Sequence, residues 1–171
     1  MTSEQKTFTG IGIATVVLLI GGYFLATRQD QQLDKSLIGK EIQVQANHVP
    51  VGTEIDYNSN PPAGGEHYGD STTHAGIYNK APEDGYLVHS LEHGAVILWY
   101  KSDLPKQNIE KLKQIFNSVS GKKIMTLRKG LDVPIALSSW GRVLKLETID
   151  EKQIKTFFET NMNKGPEQAP I

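Results

Sequence analysis

Between Ala95 and Tyr100 the chain runs through AVILWY without a polar residue. A short apolar run rich in β-branched and aromatic side chains predicts a buried strand. Just before it, Tyr86 to His93 reads as a turn of helix closed by Gly94. A second periodicity starts at Pro105. Ile109, Leu112, Ile115, Phe116 and Val119 recur on one helical face, and Gly121 ends the segment. Ile124–Arg128, Val133–Ser139 and Val143–Leu146 read as three further strands, and Gly76–Tyr78 as a short one. The alternation in Ile42–Ala46 predicts a first strand. Asp150 is placed to cap a last helix whose buried face is Ile154, Phe157, Phe158 and Met162. Two stretches read as irregular: His48–Asn60, and Pro61–Gly69, where Pro-Pro and Gly-Gly break regular structure. Strands, helix, strands and helix in this order predict an α+β fold, with a small, mostly antiparallel sheet and two packing helices.

The strongest apolar signal lies outside that pattern. Phe8 to Ala26 is a run of 19 residues without a charge, close to the roughly 20 that cross a bilayer as a helix. Leu25-Ala26-Thr27 is a poor small-x-small cleavage site, so the run reads as an uncleaved transmembrane helix rather than a signal peptide. The predicted organisation is then a short tail (1–7), an anchor (8–26), a polar stalk (27–36), one globular domain (37–164) and a flexible polar tail (165–171). With so little before the anchor, the expected placement of the domain is outside the cytoplasm, single-pass, with the membrane as partner through residues 8–26.

Composition narrows the chemistry. The formal net charge is −1 and there is no cysteine. A balanced charge gives no footprint for nucleic acid, which is not an expected partner. Without cysteine there is no disulfide, thiolate nucleophile or thiolate-bound zinc, and metal ligation falls to His, Asp, Glu and Met. No G-x-S-x-G elbow and no phosphate-binding loop is present.

Five histidines stand at positions 48, 67, 74, 89 and 93. On a helical turn His89, Glu92 and His93 share a face. His89-Ser90-Leu91-Glu92-His93 also matches H-x-x-E-H, in which two histidines hold zinc and the glutamate acts as base. That motif requires a long helix, whereas Gly94 and a buried strand follow at once. The competing reading is an amphipathic turn whose histidines only pack. His67, after a glycine-rich loop able to fold over the turn, is the candidate third ligand. The expected metal site is therefore His67, His89 and His93, with Glu92, Met125 or His74 as additional ligand or supporting residue. His48 reads as a surface or structural residue. Histidines with a methionine and no cysteine favour copper, then zinc. Trp140 reads as a packing residue whose indole N–H finds a nearby partner. The expected function is metal handling, copper or zinc. The alternatives are a zinc-dependent hydrolase using Glu92 as general base, and a metal-free protein-interaction module.

Four segments together, PPAGGEHYG (61–69), GIY (76–78), LVHSLEHGAVILWY (87–100) and VPIALSSWGR (133–142), resemble the successive blocks of the domain of unknown function 3105. The resemblance spans roughly 45–145. It implies a membrane-anchored or secreted bacterial or archaeal protein, and it implies functional weight at His67, His89, Glu92 and His93. It implies no activity. The chain departs from the family's loop pattern at Ala63-Gly64-Gly65-Glu66, where Thr-Ser-Gly-Pro is usual, and His74 has no counterpart in that pattern.

Overall fold

The computed structural model describes residues 38–171. The tail, anchor and stalk expected over 1–36 lie outside the described residues. Among the described residues, no helix is long and apolar enough to cross a membrane.

The elements are β1 (Lys40–Glu41), β2 (Asn47–Val49), β3 (Glu66–Tyr68), β4 (Gly76–Tyr78), α1 (Asp84–Glu92), β5 (Val96–Lys101), α2 (Lys106–Asn117), β6 (Lys123–Arg128), β7 (Ile135–Ser139), β8 (Arg142–Leu146) and α3 (Glu151–Asn161). Six strands form one sheet in the order β1-β8-β7-β5-β6-β4, and β2 and β3 form a second, two-stranded sheet. The architecture is α+β, with three helices among the described residues.

The expected antiparallel bias does not hold. β7 pairs antiparallel with both β5 and β8, as does β1 with β8, but β5–β6, β4–β6 and β2–β3 are parallel. For the central pair β5–β6 the physical reason is α2. Parallel neighbours need a crossover of a dozen or more residues, usually a helix, and α2 carries the chain from β5 back to the start of β6. A helix between two strands was visible in the sequence; its consequence for strand direction was not drawn from it.

β5 is unbroken in hydrophobicity because it is covered on both faces. Val96, Leu98 and Tyr100 pack with Leu112, Ile115 and Phe116 of α2 and with Ile154, Phe157 and Phe158 of α3. Ile97 and Trp99 point the other way, onto Leu87 and Leu91 of α1. The sheet is thus sandwiched between α2 and α3 on one side and α1 on the other, and Trp99 Nε1 donates to Ser138 Oγ at 2.8 Å inside the core. Asp150 caps α3 as expected, accepting from the Gln153 amide at 3.0 Å.

Two local expectations change. Ile42–Ala46 is not a strand: the Ile42 amide donates to the Gly141 carbonyl, the Gln43 carbonyl accepts from Asn58 Nδ2, and Val44 lies over Gly64. Its alternation serves contacts with loops instead of a ladder. Conversely, β2 and β3 form inside stretches that read as irregular, each three residues long and paired only with the other.

Gly94 joins α1 to β5 at φ +84°, and a Cβ there would stand 2.8 Å from the Asn163 Cα. Left-handed backbone costs a side-chain-bearing residue about 1–2 kcal/mol before any clash. Gly94→Ala is therefore expected to lower the unfolding free energy by about 2 kcal/mol or more, read as a lower urea midpoint at unchanged slope.

Candidate metal centre

α1 is enclosed on nearly every side. Leu87 and Leu91 face the large sheet, while His89 and Glu92 face β2 and β3. Gly85 permits the close approach, since a Cβ there would sit 2.6 Å from the Tyr68 ring of β3. The loop before β4 is pinned to the same helix. Ser90 Oγ accepts from the Thr73 amide at 2.9 Å and lies within donating reach of the Thr73 and Tyr86 carbonyls.

On this frame the β2–β3 register sets His48 directly beside His67. Neighbours across a strand pair project to the same face, and that face meets α1. His48, His67, His89 and Glu92 each contribute one ligand-type atom, all within 4.8 Å of one another. The ring centroids are 4.8 Å apart for His48–His67, 5.1 Å for His67–His89 and 5.3 Å for His48–His89. His67 is fully buried. The Glu92 side chain is 4% exposed and that of His48 53%.

The hydrogen bonds fix which nitrogens are free. A carbonyl oxygen only accepts, so a ring nitrogen bonded to one must carry its proton. His67 Nδ1 donates to the Gly65 carbonyl at 2.9 Å and His89 Nδ1 to the Ser71 carbonyl at 2.7 Å. With Nδ1 so committed, each ring has only Nε2 left to meet a proton or an ion, the arrangement by which backbone carbonyls orient metal-binding histidines. His67 Nε2 meets Glu92 Oε2 at 2.8 Å, with His48 Nε2 3.5 Å from the same oxygen. His67 therefore has an acceptor on both sides, and only a second positive centre, a proton or a metal ion, reconciles its Nε2 with the carboxylate. Burial pushes the His89 imidazole below its ordinary range and His93 and His67 push it further, opposed by the Ser71 carbonyl and Glu92. The neutral, ligating form is the one favoured.

The other sequence candidates lie elsewhere. His93 caps α1 and joins a separate group with His89 and Glu167. Met125 is fully buried on β6 among the α2 and α3 contacts, on the sheet face away from α1. His74 is exposed, belongs to neither group, and its carbonyl accepts from the Tyr78 hydroxyl. Trp140 packs at the edge of the α1 core cluster and stands edge-on to His67 at 6.0 Å. His48, which reads from the sequence as a surface or structural residue, is brought into this group by the fold. The pairing that brings it in joins two segments without strand periodicity, so the only signal was its being one of few histidines in the chain.

A family model described as protein of unknown function (DUF3105) matches residues 48–170, and the chain belongs to that family. Nothing matches among curated proteins or among solved structures. The matched span begins at His48 and includes every histidine of the site.

Ser90→Ala would remove the closer of the two acceptors of the buried Thr73 amide, leaving it only the Tyr86 carbonyl at 3.4 Å, a loss of about 0.5–1.5 kcal/mol. The expected outcome is a matching drop in stability, with faster hydrogen exchange at Thr73 and Ser71 than in the sheet.

Proposed function

We propose that this member of the family is a metal-handling protein whose ion is held by His48, His67, His89 and Glu92. The observation that carries the reading is the double-acceptor environment of His67, which is fully buried between the Gly65 carbonyl and the Glu92 carboxylate. Ligand atoms around a tetrahedral zinc, at about 2.0–2.1 Å from the ion, lie roughly 3.3 Å apart. The ligand-type atoms of the cluster, from 2.8 Å apart to within 4.8 Å of one another, bracket that spacing.

The donor set favours a divalent first-row ion, zinc or copper(II), since imidazole suits both. The argument for copper from a thioether ligand loses its support, because Met125 faces the opposite core. Four protein ligands fill a tetrahedral shell, whereas catalytic zinc keeps one position for water. Glu92 is accordingly read as a ligand rather than a general base, and the role as binding rather than hydrolysis. With the uncharged run 8–26 as anchor, the reading puts the site outside the cytoplasm.

The full chain, stripped with chelator and dialysed against zinc or copper(II), is expected to retain about one ion at pH 7.5 by elemental analysis. His67→Ala and Glu92→Gln should weaken binding by about 10–100-fold or more, while Met125→Leu leaves it unchanged. Retention of less than a tenth of an equivalent by the wild type would sink the reading.

Acidification offers an independent check. Protons compete for imidazole nitrogens and carboxylates, so affinity falls as pH drops. Titration of the loaded chain from pH 7.5 to 5 should release the ion at a pH where the metal-free fold, followed by circular dichroism, is intact.

A further inference from the structure

His89 belongs to two groups at once. Besides the buried set, His89, His93 and Glu167 bring one ligand-type atom each within 4.8 Å of one another. The His89 and His93 ring centroids are 4.6 Å apart, and His93 Nε2 lies 3.2 Å from Glu167 Oε2. His93 repeats the tautomer logic of the inner histidines. Its Nδ1 donates to the Pro170 carbonyl at 2.8 Å, which leaves Nε2 for a carboxylate or an ion.

The segment that supplies Glu167 is seated firmly. The Asn163 amide donates to the Gly94 carbonyl at 2.8 Å and the Glu167 amide to the Glu92 carbonyl at 3.1 Å. Lys122 Nζ reaches the His93 and Ala169 carbonyls. Gly165 fits so closely that a Cβ there would stand 2.0 Å from the Glu92 carbonyl. This stretch, read from its composition as a flexible tail, lies along the end of α1, and the backbone of Glu167 is fixed before any ligand arrives.

Resting on the metal-handling reading above, we propose that His89, His93 and Glu167 form a second metal position, an entry site that passes a divalent ion to the buried site through the shared ligand His89. Each group reaches solvent at one member, Glu167 in this one and His48, 53% exposed, in the inner one, and charge decides between them. The Glu167 side chain is 49% exposed and that of His93 13%, against 4% for Glu92 and none for His67. An anionic carboxylate at the surface captures a hydrated dication by charge. His48, the other exposed member of the cluster, offers only an imidazole. Because His89 Nδ1 is committed to the Ser71 carbonyl, only Nε2 is left to ligate, so the two positions exclude one another, and the chain carries one tightly held ion rather than two.

The test is stopped-flow loading of the full chain with copper(II), which outranks zinc in affinity for a given nitrogen–oxygen site and so reports whichever ion is native. Rapid-freeze electron paramagnetic resonance identifies the ligands at each time. The wild type is expected to form an early species with fewer nitrogen ligands, which converts to the final one at a stoichiometry of one. Glu167→Gln keeps the backbone anchors and removes only the charge. It should abolish the early species and slow loading by about tenfold or more, with the final spectrum that of the wild type, and His93→Ala should do the same. Loading of both variants at the wild-type rate, which means direct entry past His48, overturns the proposal while leaving the buried site intact. Simultaneous tight binding of two ions overturns the shared ligand. A wild type that takes up no copper overturns the buried site first, and the entry site with it.

Discussion

A glutamate side chain that is 4% exposed sets the terms for everything around it. An isolated carboxylate withdrawn from water carries a desolvation penalty of several kcal/mol, which only a close positive charge and further hydrogen bonds offset. Glu92 is the last residue of α1, and its charge is met from β2 and β3, by His67 at 2.8 Å and His48 at 3.5 Å. The contact therefore does more than join two side chains. It binds the small parallel pair to a helix whose other face is already committed to the large sheet. Removing one partner leaves a buried charge alone, so the helix, the pair and the glycine-rich loop that presents Gly65 stand or fall together.

The backbone carbonyls complete that arrangement. Gly65, Ser71 and Pro170 lie in three separate loops, yet each accepts from the Nδ1 of a histidine. A histidine whose tautomer is set by a carbonyl has one nitrogen left, and its direction follows from the first bond. Irregular backbone, which sequence patterns describe only as loop, is what orients the ligands here. The same loops are held by the core elements: Ser90 of α1 pins Thr73, two residues from Ser71, and Lys122 beside β6 holds Ala169, next to Pro170.

How far the sequence revealed this depended on the range of the interactions involved. β5, α2, β6, β7, β8 and α3 were legible because burial on one face or both writes itself into local periodicity. The capped start of α3 was legible because a cap is a contact three residues long. The mixed sheet was not read, because strand direction is set by a crossover. The place of His48 was not legible because it depends on β2 pairing with β3 across sixteen intervening residues, with no alternation in either. Met125, on a predicted strand, can be either a soft ligand or core by sequence, and the sheet decides for core: β6 sends Ile124 toward α1 and the next residue toward α2 and α3. The strand predicted at Ile42–Ala46 shows the converse, alternation produced by loop contacts with no partner strand.

The spacing of the motif itself accounts for its two allegiances. At 3.6 residues per turn each step advances roughly 100°, so from His89 the helix puts Glu92 roughly 60° to one side and His93 roughly 40° to the other. A long helix laid across a single ion would use both histidines together. This helix ends at Glu92, and Gly94 turns the backbone away at φ +84°, so the flanks meet different neighbours: β2 and β3 on the Glu92 side, the segment after α3 on the His93 side. His89, lying between them, is within reach of both. The H-x-x-E-H spelling is thus compatible with two adjacent ligand groups hinged on one histidine, and what separates that outcome from a single protease-type zinc site is the length of helix that follows, which here is nil.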